Sequence, residues 1–318
     1  MKVLITGGAG FIGANLVRRL ETSPGVAEIT VVDELSFGFR ENLDGTNATL
    51  IEGSILDEEL LRHAIDGAST VVHLAARSSV PRSVAEPMAT HEVNTTGTAL
   101  VLEAARRVGD TQIILASSSS VYGLTDVLPK HEGLVARPIS PYAASKLAAE
   151  SYALAWGHSY ELPVLALRFF NVFGPLQSPD HTYAAVIPAF LAAACTGNPL
   201  PVHGDGTQCR DFTFVESVVD VIDRAITRRI SHPGPVNLAF GTRVSLLEVI
   251  SELEGIFGRR LEINHLPVRV GDVPRSQADS SCLLEIFPEL EPTGLAVGLR
   301  ETVEWFEQAR PWQSATTA

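Results

Sequence analysis

Thr6-Gly7-Gly8-Ala9-Gly10-Phe11-Ile12-Gly13 follows a short apolar run, Val3 to Thr6, and opens a helical pattern that reaches Glu21. Without side chains at Gly7, Gly10 and Gly13 the backbone can turn tightly and a pyrophosphate can approach the N–H groups at the helix start. The last glycine lets the helix lie close to the strand. Twenty residues beyond Gly13, Asp33 ends a second apolar run, Ile29 to Asp33. A carboxylate there would accept both hydroxyls of an adenosine ribose and repel a 2′-phosphate, so NAD is expected rather than NADP.

The rhythm continues outward from this loop. Thr49 to Glu52, Thr70 to His73, Gln112 to Ala116 and Val164 to Arg168 read as strands. Asp57 to Ile65, Met88 to Val108 and Pro141 to Tyr160 read as helices between them. Strands alternating with helices imply βαβ crossovers, and runs apolar throughout imply a sheet covered on both faces. The expected fold class is α/β, a doubly wound parallel sheet of Rossmann type with a smaller C-terminal lobe. Residues 1–170 are assigned to the dinucleotide domain and 171–310 mainly to the lobe, which has the helices Val186 to Thr196 and Glu216 to Arg228. Residues 236–240 are expected to return to the main sheet, and 311–318 to form a disordered tail.

The chain carries 24 basic and 37 acidic residues, a net charge of -13, which excludes a general affinity for nucleic acid or anionic membranes. A phosphorylated ligand must therefore be held by a few placed groups. Cys195, Cys209 and Cys282 are odd in number and widely spaced, which fits a reducing compartment, and no stretch approaches a membrane span. A cytoplasmic location is expected. The histidines form no metal-ligand spacing, so no metal is expected, and His73 reads as a packing residue at a strand end.

Pro141-Tyr142-Ala143-Ala144-Ser145-Lys146 puts Tyr142 and Lys146 on one helix face. A free tyrosine, with pKa ~10, is a poor base at neutral pH. A nearby ammonium and an oxidised nicotinamide would favour its phenolate. Ser117-Ser118-Ser119-Ser120 follows the fifth strand, at the end of the sheet where open α/β folds bind ligands. One of these hydroxyls would bridge substrate and Tyr142; composition leaves open which.

In this order, TGGAGFIG (6–13), VVDELSFG (31–38), VVHLAARSSVPRS (71–83), EVNTTGT (92–98), SSSSVYG (117–123), PYAASK (141–146), LRFFNVFGP (167–175), AAVIPAF (184–190), HGDGTQCRDFTFV (203–215) and VRVGDVPRSQAD (268–279) run along nearly the whole chain. Together they resemble the NAD-dependent epimerase/dehydratase family of extended short-chain dehydrogenases/reductases, and within it the UDP-sugar 4-epimerases. The resemblance implies Ser118, Tyr142 and Lys146 as catalytic. It implies Gly7, Gly10, Phe11, Ile12, Gly13, Asp33, Ser36, Ser54, Ile55, Leu74, Ala75, Ala76 and Asn94, with Tyr142 and Lys146, around the NAD. For the UDP-sugar it implies Ser79, Ser118, Ser119, Asn171, Val186, Val202, His203, Gln208, Arg210, Arg269, Asp272 and Ser276. Arg210 and Arg269 would grip the phosphates, Val202 and His203 would line the uracil slot, and Ser276 would leave room for an N-acetyl group. A homodimer is implied through a four-helix bundle that uses Leu100, Ala104, Leu147 and Tyr152.

Two departures sharpen the reading. Family members that eliminate water carry acids directly after the catalytic hydroxyl, where this chain has Ser119 and Ser120. Many relatives have an Asp at Ser54. The resemblance thus implies reversible C4 epimerisation of a UDP-hexose, glucose/galactose or the N-acetylated pair, through a 4-keto sugar. A UDP-glucuronate 4-epimerase, a 4-keto-sugar reductase and a non-catalytic NAD-sensing protein are the alternatives.

Overall fold

The computed structural model describes residues 1–179, 185–268 and 275–313. Its first part runs β1 (Lys2–Thr6), α1 (Phe11–Glu21), β2 (Glu28–Asp33), β3 (Thr49–Glu52), α2 (Glu58–Ala64), β4 (Thr70–His73), α3 (Val80–Ala85), α4 (Pro87–His91), α5 (Thr98–Val108), β5 (Gln112–Ser118), α6 (Pro141–Tyr160) and β6 (Val164–Phe169). The remainder runs β7 (Val172–Phe173), α7 (Val186–Thr196), β8 (Leu200–His203), β9 (Cys209–Arg210), β10 (Thr213–Phe214), α8 (Val215–Thr227), β11 (Val236–Leu238), β12 (Val244–Ser245), α9 (Leu246–Phe257), β13 (Ile263–Leu266), α10 (Ser281–Ile286) and α11 (Leu295–Ala309).

A seven-stranded parallel sheet in the order β11-β6-β5-β4-β1-β2-β3 forms the core. Residues alternate between its faces. Val3, Ile5, Val31, Val72 and Leu165 pack on the side of α1, α7, α8 and α9, and Leu4, Val32, Val71, Ile113 and Ala166 on the side of α2, α5 and α6. That two-sided burial is why the strands carry no alternating polar residues. Strand order reverses between β1 and β4, so a crevice opens beyond their carboxyl ends. Val236–Leu238 lies parallel to Leu167–Phe169 at one edge of this sheet.

Met88 to Val108 is expected from sequence as one helix, and the structure interrupts it with a turn of π-helix, Glu92–Gly97. The extra residue in that turn accommodates Asn94, whose side chain takes up backbone groups outside the helix. At the C-terminus, Trp312 stacks on Phe306 with ring centroids 6.1 Å apart, and residues 314–318 lie outside the described residues. Among the described residues no helix is long and apolar enough to cross a membrane.

Candidate active site

A cleft of about 670 Å³ follows the carboxyl ends of the strands. Gly7, Gly10, Phe11, Ile12, Gly13, Asp33, Ser36, Ile55, Leu74, Ala75 and Ala76 line one reach of it, and Ser79, Ser118, Ser119, Tyr142, Lys146, Asn171 and Val186 the other.

The glycine turn is shaped by close approach. Gly7 has φ +73, and a Cβ there would stand 2.7 Å from the Ala75 backbone nitrogen. A Cβ on Gly13 would meet the Gly7 carbonyl at 2.4 Å. The start of α1 is thereby held against β1 with its N–H groups open to the cleft, a geometry that fits a pyrophosphate. Asp33 Oδ2 accepts from Ala9 N and Oδ1 from Leu35 N, each at 2.9 Å, leaving a lone pair on each oxygen for a ribose. Burial raises its pKa, and these backbone bonds oppose the rise. With Glu34 beside it, this end of the cleft suits the free ribose hydroxyls of NAD.

Ser54 and Asn94 stand behind the cleft wall. Ser54 Oγ accepts from Leu56 N at 3.3 Å. Asn94 Oδ1 accepts from Arg77 N at 2.7 Å, and its Nδ2 donates to Ser145 Oγ at 3.0 Å. Asn94 therefore fixes the loop after β4 onto α6, and with it the cleft residues Ala75 to Ser78.

At the other end, Lys146 is buried and donates from Nζ to the Ala116 carbonyl at 2.8 Å. Burial lowers its pKa to about 8. Tyr142 and Ser118 line the same end of the cleft; burial pushes the Tyr142 phenol up, and the nearby Ser118 hydroxyl opposes the push. Ser118 Oγ accepts from Ser120 N at 3.2 Å and from Ser120 Oγ at 2.9 Å, which leaves its own proton free to point at Tyr142. The structure thus separates two of the serines: Ser117 turns inward to Glu150, and Ser118 lines the cleft with Tyr142, whose phenol it influences.

The lobe residues form a second group. Val202 is fully buried in β8. His203 Nδ1 donates to the Pro267 carbonyl at 2.8 Å, and Gln208 Nε2 donates to the His203 carbonyl at 2.6 Å. Arg210 lies on β9, where Cys209 O accepts from Ser276 N at 3.1 Å. Asn171 links the two groups, because it lines the cleft and its Nδ2 donates to the Asp211 carbonyl at 3.4 Å. Arg269 and Asp272 lie outside the described residues. Sequence reasoning missed Phe37, Arg77, Val80, Phe169 and Gln177, which also line the cleft. Phe37, Arg77, Val80 and Phe169 lie inside the quoted motifs and Gln177 lies two residues beyond one, but residue type gave no signal.

Fold and site together define a dinucleotide-dependent α/β enzyme of the short-chain dehydrogenase/reductase type. The profile of the NAD dependent epimerase/dehydratase family matches residues 3–239, and the chain belongs to that family. A UDP-glucose 4-epimerase of Mycolicibacterium smegmatis is 35% identical over 319 residues, spanning 96% of this chain and 98% of its own. The UDP-N-acetylglucosamine 4-epimerase of Methanobrevibacter ruminantium, solved with UDP-N-acetylmuramic acid, is similar at a TM-score of 0.90 and 34% identity, over 97% of this chain and 98% of that one. The UDP-glucuronic acid 4-epimerase of Bacillus cereus, solved with UDP-glucuronic acid and NAD, gives a TM-score of 0.88 at 27% identity over 97% and 100% of the two chains.

Proposed function

We propose that this protein interconverts the C4 epimers of a UDP-hexose, with the N-acetylglucosamine/N-acetylgalactosamine and glucose/galactose pairs as its candidate substrates. The observation that carries the reading is the distribution of acids along the cleft. Among its described lining residues the only carboxylates are Asp33 and Glu34. They sit at the end of β2, three strand spacings (about 14 Å) from the end of β5. Beside Tyr142 stand Ser118, Ser119 and Ser120 instead. Proton transfer at a hydroxyl needs Tyr142 and Ser118; eliminating water needs a further acid, which the described residues at that end of the cleft do not supply.

The glycine turn, Asp33 and Lys146 would hold NAD, which supplies a reversible hydride acceptor when bound. Tyr142, held as phenolate by a hydrogen bond donated from Ser118, takes the proton of the 4-hydroxyl and becomes the phenol. Lys146, buried and cationic below about pH 8, lends the positive charge that this phenolate needs. The UDP would stay anchored in the lobe by Arg210 and by Arg269, while the small serine wall lets the sugar turn over and receive hydride on its other face. Ser276, on the segment bridged to Cys209, is the small side chain that would leave space for an N-acetyl group. A glucuronate substrate is the second reading, favoured by the likeness to the Bacillus cereus enzyme. We place the functional unit as a homodimer in the cytoplasm.

Proton NMR of the anomeric region tests the assignment, using the protein with UDP-N-acetylglucosamine and no added cofactor. New signals from UDP-N-acetylgalactosamine are expected. If that sugar, UDP-glucose and UDP-glucuronate all stay unchanged after NAD is supplied, C4 epimerisation is excluded.

A further inference from the structure

Behind the catalytic wall lies a buried charge pair that proton transfer at Tyr142 does not use. Glu150 stands on α6 one turn beyond Lys146 and two beyond Tyr142, with its side chain 4% exposed. Its Oε2 accepts from Ser117 Oγ at 2.6 Å and from Arg168 Nε at 2.9 Å, and its Oε1 accepts from Arg168 Nη2 at 2.6 Å. Ser117 and Arg168 are register partners on β5 and β6. Arg168 is backed in turn by the Tyr122 ring, 4.7 Å away, and Tyr122 donates to Asn237 Oδ1 on β11 at 2.6 Å.

Such a pair is a poor source of stability, since desolvating both ions offsets most of their attraction. What it does supply is geometry. Ser117 immediately precedes Ser118, so one carboxylate ties the helix that carries Tyr142 and Lys146 to the strand end that carries the bridging hydroxyl. We propose that Glu150 is a positioning residue: through Ser117 and Arg168 it holds the Ser118 hydroxyl against Tyr142. This rests on the reading of Ser118 and Tyr142 as the proton-transfer pair.

Two variants test it. Ser117→Ala cuts the link and leaves the ion pair and the fold; Glu150→Gln neutralises the anchor and keeps its size. Each is expected to lower kcat by about 10- to 100-fold, the cost of a misplaced catalytic group, with KM within about two-fold. If Glu150→Gln does not fold, Ser117→Ala decides alone. A kcat for Ser117→Ala within two-fold of the parent, or a change confined to KM, overturns the proposal.

A second readout needs no sugar. With NAD added, the ultraviolet difference between each protein and its Tyr142→Phe counterpart follows the ionisation of Tyr142. Lys146 beside it and the neutral His73, which senses Lys146, are unchanged in both variants. The midpoint should rise by about one pH unit in Ser117→Ala as the hydrogen bond from Ser118 loosens. An unmoved midpoint overturns positioning, whereas turnover missing in the parent itself would sink only the C4-epimerase reading.

Discussion

His73 illustrates how single hydroxyls fix a protonation state next to a buried lysine, Lys146. Thr98 spends its proton on the Asn94 carbonyl at 2.6 Å, so it can only accept from His73 Nε2, 2.9 Å away. The Nδ1 of His73 must then accept from the Thr6 hydroxyl at 2.6 Å, and the imidazole is neutral. Burial first, and the Lys146 charge second, lower its pKa from 6.5 to about 3. Between those values the unfolded chain binds a proton that the folded chain refuses. Stability from this group is therefore complete above pH 6.5 and is lost as pH falls toward 3. At pH 5 the loss should be about 2 kcal/mol. Urea midpoints at pH 7, 6 and 5 measure it, and His73→Gln should flatten the difference between them. An equal slope in the two proteins would mean that another group carries the acid sensitivity.

At the scale of elements, the turn between β1 and α1 holds both the fold and the cofactor site, because one contact serves both. A methyl group on Gly13 would have to displace the Gly7 carbonyl or the Gly8 Cα, 2.4 and 2.5 Å from its Cβ. Gly13→Ala should cost about 1–3 kcal/mol by overpacking and weaken NAD binding by at least about ten-fold. Gly255→Ala is the contrast, since that glycine lies inside α9 with nothing within 4 Å of the added Cβ. It should gain about 0.5–1 kcal/mol from helix propensity. Thermal unfolding with and without NAD separates the two effects, and equal responses would refute this account. The same element was the easiest to read in the sequence, because glycine spacing, an apolar strand and a strand-end carboxylate all belong to one short local unit. The strands of the parallel sheet were legible for a similar reason, being short and apolar throughout. The π turn at Glu92–Gly97 was not, because hydrophobic periodicity does not register a single inserted residue. The choice among Ser117 to Ser120 depended on partners far along the chain, Glu150 and Tyr142, so composition could not make it.

At the scale of the whole molecule, one long helix face has no partner among the described residues. Helix α6 has 20 residues, and its only Lys or Glu side chains, Lys146 and Glu150, are both buried. Its outward side carries Tyr152, Trp156 and Tyr160, packed edge to face at 5.7 and 5.6 Å, with Tyr152 41% and Tyr160 48% exposed. Helices facing water ordinarily carry charge, so an aromatic strip of this length calls for a cover. The ion pairs of Glu103 with Arg106 and Arg107 on α5, and Arg106 lying 5.1 Å from the Tyr160 ring, form a polar rim beside it. Helix α6 is about 30 Å long, and with α5 alongside it offers on the order of 600 Å² in projection, near the ~800 Å² that each partner of a stable complex buries. A second copy related by a two-fold axis would match this strip to itself, pairing α5 and α6 with their counterparts. The expectation is a dimer at micromolar concentration in sedimentation equilibrium. Tyr152→Glu, which places a charge in that strip, should shift the protein to monomer by at least about ten-fold in Kd while leaving its far-ultraviolet circular dichroism unchanged. A parent protein that sediments as a monomer would refute the pairing. So would a dimer indifferent to Tyr152→Glu, which would put the interface on another face and leave the uncharged outer side of α6 without an explanation.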